Sequence, residues 1–410
     1  MSRSRRFSSV ERWLLRKLHD AIGRPPIRLI LGDQAVSALD IPPVAEVVIP
    51  DRRTLAALLL NPEMGFGDAY TEGRIEIRGS LVALMEAVLA SLARAHLDTW
   101  YSKLTSWWLE RTQANTLRNS RKNIHHHYDL NHDFFSLWLD SQLVYTCAYF
   151  PDSSATLEGA QIAKMDHVCR KLWLRPGETI VEAGCGWGAL ALHMAKYYGV
   201  RVKAFSISHE QILYARQRAK EEGLSQQVEF IEDDYRNISG RFDVFVSVGM
   251  LEHVGLDYFR ELGRVIHRSV GESGRVLLHF LGRAYPSPLS AWTRKRIFPG
   301  AYAPTLRQAT SILEPWDFSV IDVENLRLHY AMTAEHWLNR LERSAPRICE
   351  MFGPNFVRSW RFYLAGSMAG LRVGAAQLFQ VVLVGPASQE IPWTRAHLYA
   401  EDRVVEQEMA

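Results

Sequence analysis

The chain has 410 residues, too many for one ordinary core, so two domains are expected. With 47% hydrophobic and 23% charged residues it reads as a folded globular protein and excludes a disordered one. A net charge of +3 selects no partner, and four scattered cysteines (Cys147, Cys169, Cys185, Cys349) without a CxxC pair argue against a disulfide framework and fit a reducing cytosol.

Residues 1 to 24 carry seven Arg or Lys against Glu11 and Asp20 alone. Val10, Leu14, Leu18 and Ile22 fall at helical spacing, with Trp13 beside them. Such a basic amphipathic segment suits an anionic membrane surface, and it suits equally a helix packed on its own domain with a solvated basic face. No nucleic-acid motif accompanies the charge, so nucleic acid is not an expected partner. The N-terminus lacks the continuous apolar stretch of a secretory signal. The most apolar windows, LVALMEAVLASLA and SMAGLRVGAAQLFQVVLVG, are interrupted by Glu86 and Arg372, and neither is expected to span a bilayer.

Residues 25 to 95 read as a small mixed α/β domain. AEVVIP and RIEIRG (74 to 79) have strand patterns, and LVALMEAVLASLARA (81 to 95) has a helical composition. The polar, basic ERTQANTLRNSRKN reads as a connection. The expected division is an N-terminal domain over 1–110, whose basic start suits a membrane surface, a linker over 111–127, a larger domain over 128–395 and a tail over 396–410.

From about residue 165, strands alternate with helices. ETIVEAG (178 to 184), RVKAFSIS (201 to 208), VEFIEDD (228 to 234), FDVFVSVG (242 to 249), GRVLLHF (274 to 280), FSVIDVENL and LFQVVLVG make seven strands. ALALHMAKYYG, closed by Gly199, and HEQILYARQRAKEEG are intervening helices. That pattern predicts an open, mostly parallel sheet covered by helices, with ligands beyond the carboxyl ends of its strands.

In VEAGCGWG the glycines stand where a strand turns into a helix. Gly184 and Gly186 let the backbone approach a ligand, and Gly188 lets the helix start against the strand. The spacing departs from the dinucleotide GxGxxG fingerprint, Glu182 precedes the loop, and the second strand ends in Ser206-Ile207-Ser208 without an acid to grip a nicotinamide ribose. These details favour S-adenosylmethionine (SAM). Ser208 and Gln211 also make a capping-box pair, which would account for Gln211 without any ligand; the two roles can coexist.

Several further motifs occur in one order: HYDL, DFF, LWLD and YTCAYF, then VEAGCGWGALALHMAKYYGV, SVGMLEHVG, LLHFLG and HYAMT with a following HW. Over about residues 120 to 385 this series closely resembles the cyclopropane-fatty-acyl-phospholipid synthases and the mycolic acid cyclopropane synthases. GFGDAYTEGRIEIRGSL resembles more loosely the accessory lipid-handling domain of the phospholipid-acting members. The resemblance implies a seven-stranded, Rossmann-like class I SAM methyltransferase sheet preceded by the smaller domain. It further implies a peripheral cytoplasmic enzyme at the inner face of the membrane, acting on unsaturated phospholipid acyl chains; a homodimer is one assembly it allows.

The implied reaction adds a methylene across a cis double bond. An unactivated alkene is a poor nucleophile, so the sulfonium methyl must be held against it in a dry channel. A base must then remove a proton from the new methyl, and in this family that base resembles a bound bicarbonate. The matching positions here are Cys147, Glu252, His279 and Tyr330, with the backbone at Leu281. Taken singly, Cys147 reads as a small core residue, Glu252 as either a site acid or a helix cap, His279 as a satisfied core histidine and Tyr330 as packing. Cofactor contacts carry over to Tyr128, Tyr145, Thr146, Gly184, Gly186, Ser206, Gln211, Asp234 and Tyr235.

The chain departs from the family pattern at Asn131-His132, where Gly-Asn is usual, and more mildly at Thr146, Glu182 and Ala334. Asn131-His132 is therefore the place expected to decide the product, since relatives deliver a methyl or methylene group without closing a ring. A methyl-branching or methylene-forming fatty acyl methyltransferase is the alternative, and a non-catalytic lipid-binding protein on the same scaffold is the alternative of another class. His125, His126 and His127 are adjacent and cannot all point inward, so no metal site is expected.

Overall fold

The computed structural model describes residues 7–36, 42–95 and 132–399. They fall into two compact units: Met1–Leu109 with Pro288–Pro299 and Ala331–Ala376, and Glu110–Ser287 with Gly300–Tyr330 and Gln377–Ala410. Two segments of the expected catalytic span thus fold with the N-terminal residues.

In chain order the first unit opens with α1 (Ser9–Ala21), β1 (Ile27–Leu31), β2 (Gln34–Ala35), β3 (Ala45–Ile49), α2 (Arg52–Leu60), α3 (Pro62–Thr71), β4 (Glu76–Gly79) and α4 (Leu81–Ala95). Its four strands lie in the order β2-β1-β3-β4, with β1 and β3 parallel. Helix α1 begins at a complete capping box, Ser8 with Glu11, which satisfies two otherwise free amide donors. Leu15 is buried, and Leu18 and Ile22 pack against the same core as Leu29, Val47, Ile49 and Leu55. Leu18 and Ile22 of the expected stripe are therefore spent on their own domain, together with Leu15, while Val10 of that stripe stays exposed with Trp13, Arg16 and Lys17. Glu86 and Arg372, the charges that interrupt the two most apolar windows, pair with each other at 3.2 Å. Among the described residues no helix is long and apolar enough to cross a membrane.

The second unit carries α5 (His132–Ser136), α6 (Leu157–Lys171), β5 (Thr179–Ala183), α7 (Ala189–Tyr198), β6 (Arg201–Ser206), α8 (His209–Glu221), β7 (Val228–Glu232), β8 (Val244–Val248), α9 (Phe259–Val270) and β9 (Arg275–Gly282). Helix α10 (Ala291–Arg296) belongs to the first unit, where Trp292 lies against Gly67 so closely that an added Cβ there would meet its ring at 2.3 Å. Next come α11 (Leu306–Thr310), β10 (Ser319–Asn325) and α12 (Arg327–Phe352), whose first turn lies in the second unit; α13 (Pro354–Arg372) joins the first and β11 (Gln377–Val384) the second.

All seven predicted strands form one sheet, in the order β10-β11-β9-β8-β5-β6-β7. Five are parallel, and β11 runs antiparallel to both of its neighbours. Val181, Phe245 and Val276 enter one apolar core with α9, while Ile180, Val244, Val246 and Leu277 enter another with α6, α7 and α8. Burial on both faces is why these strands read as unbroken apolar runs. The doubly covered parallel sheet is the class I SAM methyltransferase architecture that the sequence predicts.

Candidate active site

At the carboxyl end of β5 the chain turns through Gly184 (φ +86°), Gly186 (φ +52°) and Gly188 (φ +88°), all in the left-handed region where a side chain is strained. Their surroundings differ. A Cβ on Gly188 would meet Phe230 at 2.7 Å and Ala215 at 2.8 Å, so this glycine lets α7 start hard against the sheet. On Gly184 it would meet Met250 at 2.9 Å, but on Gly186 it would meet nothing within 4 Å. Gly186 is thus the point of the loop that leaves room for a ligand against bare backbone.

Ser206 ends β6, and its Oγ hydrogen-bonds Gln211 Oε1 at 3.1 Å while accepting from the Ser208 amide. The expected capping box does not form: Ser208 caps α8 without a side-chain hydrogen bond, and its buried hydroxyl has no partner. Gln211 turns instead toward Ser206 and the strand end, so its role is not that of a capping-box partner. Asp234 is buried and caps the turn after β7 by accepting from the Arg236 amide at 3.0 Å, and Tyr235 is buried beside it under the Arg236 guanidinium. Tyr145 lies in an aromatic box with Phe135 and Trp138. Tyr128 and Asn131 lie outside the described residues.

Two buried ionisable groups lie near this loop. Burial lifts Glu182 to about 8, partly opposed by Lys164, and pulls Lys164 down to about 8, opposed most by Asp140. The Lys164 ammonium donates to Thr146 Oγ1 at 3.1 Å, and Gln161 holds the Thr146 carbonyl at 2.9 Å. These contacts fix the residue immediately before Cys147. Burial of a charged lysine without such partners would be costly.

The four residues expected to hold an anion converge around Leu281 on β9. Cys147 is buried in a small apolar cluster with Leu326 and Leu378, and Tyr330 and Leu281 pack against that cluster. Glu252 stands in a single turn after β8 and accepts from the Leu281 amide at 2.5 Å through Oε1. His279 lies two residues before Leu281, hence on the same face of the strand. Its Nδ1 is paired with the amide of Gln380 at 3.0 Å; Gln380 is its cross-strand partner in β11.

Two atoms of this group are buried and unpartnered, Glu252 Oε2 and His279 Nε2. When the Gln380 amide donates to Nδ1, the ring proton resides on Nε2. Burial keeps the imidazole neutral, well below the ordinary histidine range, and lifts the Glu252 carboxyl from 4.5 to about 7 against the Leu281 hydrogen bond. Two orphaned polar groups, one a neutral N–H and one a carboxyl that readily carries a proton, fit a small oxyanion better than a metal cation. A methylated sulfonium cofactor fits the glycine loop and the Ser206–Gln211 pair.

Pattern reading missed Lys164, Gln161 and Gln380. Lys164 and Gln161 have a faint signal, polar residues on the buried side of a helix; Gln380 has one too, a lone amide inside LFQVVLVG. His132 is exposed, with its ring 5.0 Å from Tyr214 and 6.0 Å from Trp187 of the glycine loop.

The mycolic acid cyclopropane synthetase family model matches residues 115–381. A probable fatty acid methyltransferase of Pseudomonas putida is 34% identical over 91% of this chain and 96% of its own length. The cyclopropane-fatty-acyl-phospholipid synthase of Escherichia coli is 38% identical over 62% of this chain and 66% of its own. Among solved structures, mycolic acid cyclopropane synthase CmaA1 complexed with SAH and CTAB superposes with a TM-score of 0.62 at 28% identity, covering 64% of this chain and 98% of that one. The chain belongs to the mycolic acid cyclopropane synthetase family and is an enzyme of the SAM-dependent methyltransferase class.

Proposed function

We propose that this enzyme transfers a methyl(ene) group from SAM to the double bond of an unsaturated phospholipid acyl chain and closes a cyclopropane ring, with bicarbonate as the base. The observation that carries the reading is the pair of buried, unpartnered atoms, Glu252 Oε2 and His279 Nε2, beside Cys147, Tyr330 and the Leu281 amide.

SAM supplies an electrophilic methyl group. The Gly186 backbone, Ser206 and Gln211 bind it, with Tyr128, Tyr145, Thr146, Gly184, Asp234 and Tyr235 as further contacts. Glu252 and His279 hold the bicarbonate, and Cys147 and Tyr330 close its surroundings to water. With its carboxyl raised to about 7, Glu252 in its protonated form would donate to the anion, so that two negative charges do not face each other. Cys147 is buried among apolar side chains with its Sγ near the Ala148 and Leu326 carbonyls, so it serves as wall and weak donor, not as nucleophile.

A second reading is a fatty acyl methyltransferase that leaves a methyl branch or methylene. The relative matching this chain over 91% of its length is named a probable fatty acid methyltransferase, which favours it. Membrane engagement would use the exposed Val10, Trp13, Arg16 and Lys17 of α1, placing the enzyme peripherally at an anionic, cytoplasmic membrane face. Lipid mass spectrometry after expression separates the branch, a methyl with added hydrogen, from the two products heavier by one methylene unit, and proton NMR then separates the ring from its isomer with a methylene group. Unaltered lipids across unsaturated substrates would leave only a lipid-binding protein.

A further inference from the structure

Cys147 and Tyr330 lie far apart in sequence, and neither is on a strand. Something must set their separation. The Cys147 thiol lies 3.9 Å from the Leu326 carbonyl, which also receives the Tyr330 amide in the first turn of α12. A sulfur contact of that length is too weak to fix a loop.

A stack of three rings lies beside it. Tyr149, two residues after Cys147, is sandwiched between His167 of α6 (ring centroids 4.3 Å apart, planes 19° from parallel) and His329 of α12 (4.8 Å, 15°). His167 hydrogen-bonds Glu324 of β10 at 2.7 Å, and Lys171 pairs with the same carboxylate at 2.7 Å. Burial opposes ionisation of Glu324, but His167 and Lys171 overrule it and hold the acid at about 2. At the other end His329 Nδ1 accepts the Phe150 amide at 3.0 Å. Burial lowers the His329 pKa, which keeps the Nδ1 lone pair available at neutral pH.

We propose that His329 is a positioning residue: through Nδ1 it ties the Cys147–Phe150 segment to the first turn of α12 and thereby sets the spacing of Cys147 and Tyr330 across the anion site. The stack orients the imidazole, and the hydrogen bond transmits that orientation to the loop. This inference rests on the reading of that site as the seat of a bicarbonate.

Two substitutions take the two functions of the ring apart. His329→Phe keeps an aromatic face for Tyr149 and removes the acceptor. His329→Asn removes the face and keeps an acceptor, because Asn Oδ1 stands the same number of bonds from Cα as His Nδ1. The full-length variants are assayed on vesicles of unsaturated phospholipid, alongside wild type and Glu252→Ala. Methyl transfer, SAM affinity by calorimetry, and the rise in melting temperature on adding sodium bicarbonate against sodium chloride at matched pH and ionic strength are recorded.

His329→Phe is expected to lower kcat about 10–100-fold, the usual effect of losing an outer contact that orients a site. It should also lose most of the bicarbonate-induced rise and bind SAM within about 3-fold of wild type; His329→Asn should recover both properties. An active His329→Phe beside an inactive Glu252→Ala overturns the role of His329 and leaves the site standing. Equal losses in Phe and Asn variants, tracking a fall in melting temperature without bicarbonate, reduce His329 to a structural residue and also overturn the proposal. A fully active Glu252→Ala overturns the reading of the site itself.

Discussion

Glu252→Gln isolates the buried carboxyl from everything around it. The glutamine keeps an oxygen for the Leu281 amide and nearly the same volume, so the change removes chiefly the ability to ionise. Burial raises the carboxyl from 4.5 to about 7 in the folded chain. Between those values the folded protein keeps a proton that the unfolded chain has released. Stability therefore falls as pH rises through this window, by up to about 1.4 kcal/mol per pH unit and about 3 kcal/mol in all. The variant lacks this loss, whereas Glu182 and Lys164 titrate in both proteins and cancel in the difference. In bicarbonate-free buffer, the melting temperature of wild type relative to Glu252→Gln is expected to fall by roughly 3–6 °C from pH 4.5 to 8. Methyl transfer should be lost while calorimetry shows SAM still binding. Parallel melting curves across this pH range would refute the buried, uncompensated carboxyl, and with it the account of how the site prepares for an anion.

The glycine loop makes a contrast between two neighbours: Gly188→Ala should destabilise the fold by about 2–5 kcal/mol, combining left-handed strain with overlap on Phe230 and Ala215. Gly186→Ala should cost only about 1–2 kcal/mol in denaturant unfolding yet weaken SAM binding in calorimetry. Vesicle binding is best tested by Arg16→Glu with Lys17→Glu, because deleting residues 1 to 24 would strip Leu15, Leu18 and Ile22 from the core. The double reversal should abolish salt-sensitive binding to anionic vesicles with little change in melting temperature. Replacing Asn131-His132 by Gly-Asn should shift the ratio of ring to branched product in lipid mass spectra, since the His132 ring stands against Trp187 of the cofactor loop.

The glycine loop and the seven strands were legible because their signals are local. A left-handed backbone demands glycine wherever it occurs, and a strand buried on both faces demands an apolar run. The Ser208–Gln211 capping box was also a local signal, and it misled: the Gln211 amide finds Ser206 at the strand end, so a competing hydrogen bond across the same turn overrode the pattern. The amphipathic helix was visible as a helix, but only the packing of Leu15 showed which surface its apolar stripe serves.

The sequence by itself determined the order of strands and helices, the turn that can receive a cofactor, and the presence of Cys147, Glu252, His279 and Tyr330. The first two follow from residue type or spacing within one element, and the last from the series of motifs that resembles the family. Only the tertiary structure decided that Gln380 pairs with His279 Nδ1 and that His329 reaches the loop carrying Cys147. Those relations are made by sheet register and by contacts between residues more than a hundred positions apart. No local pattern encodes them, because they exist only when separate segments are packed against one another.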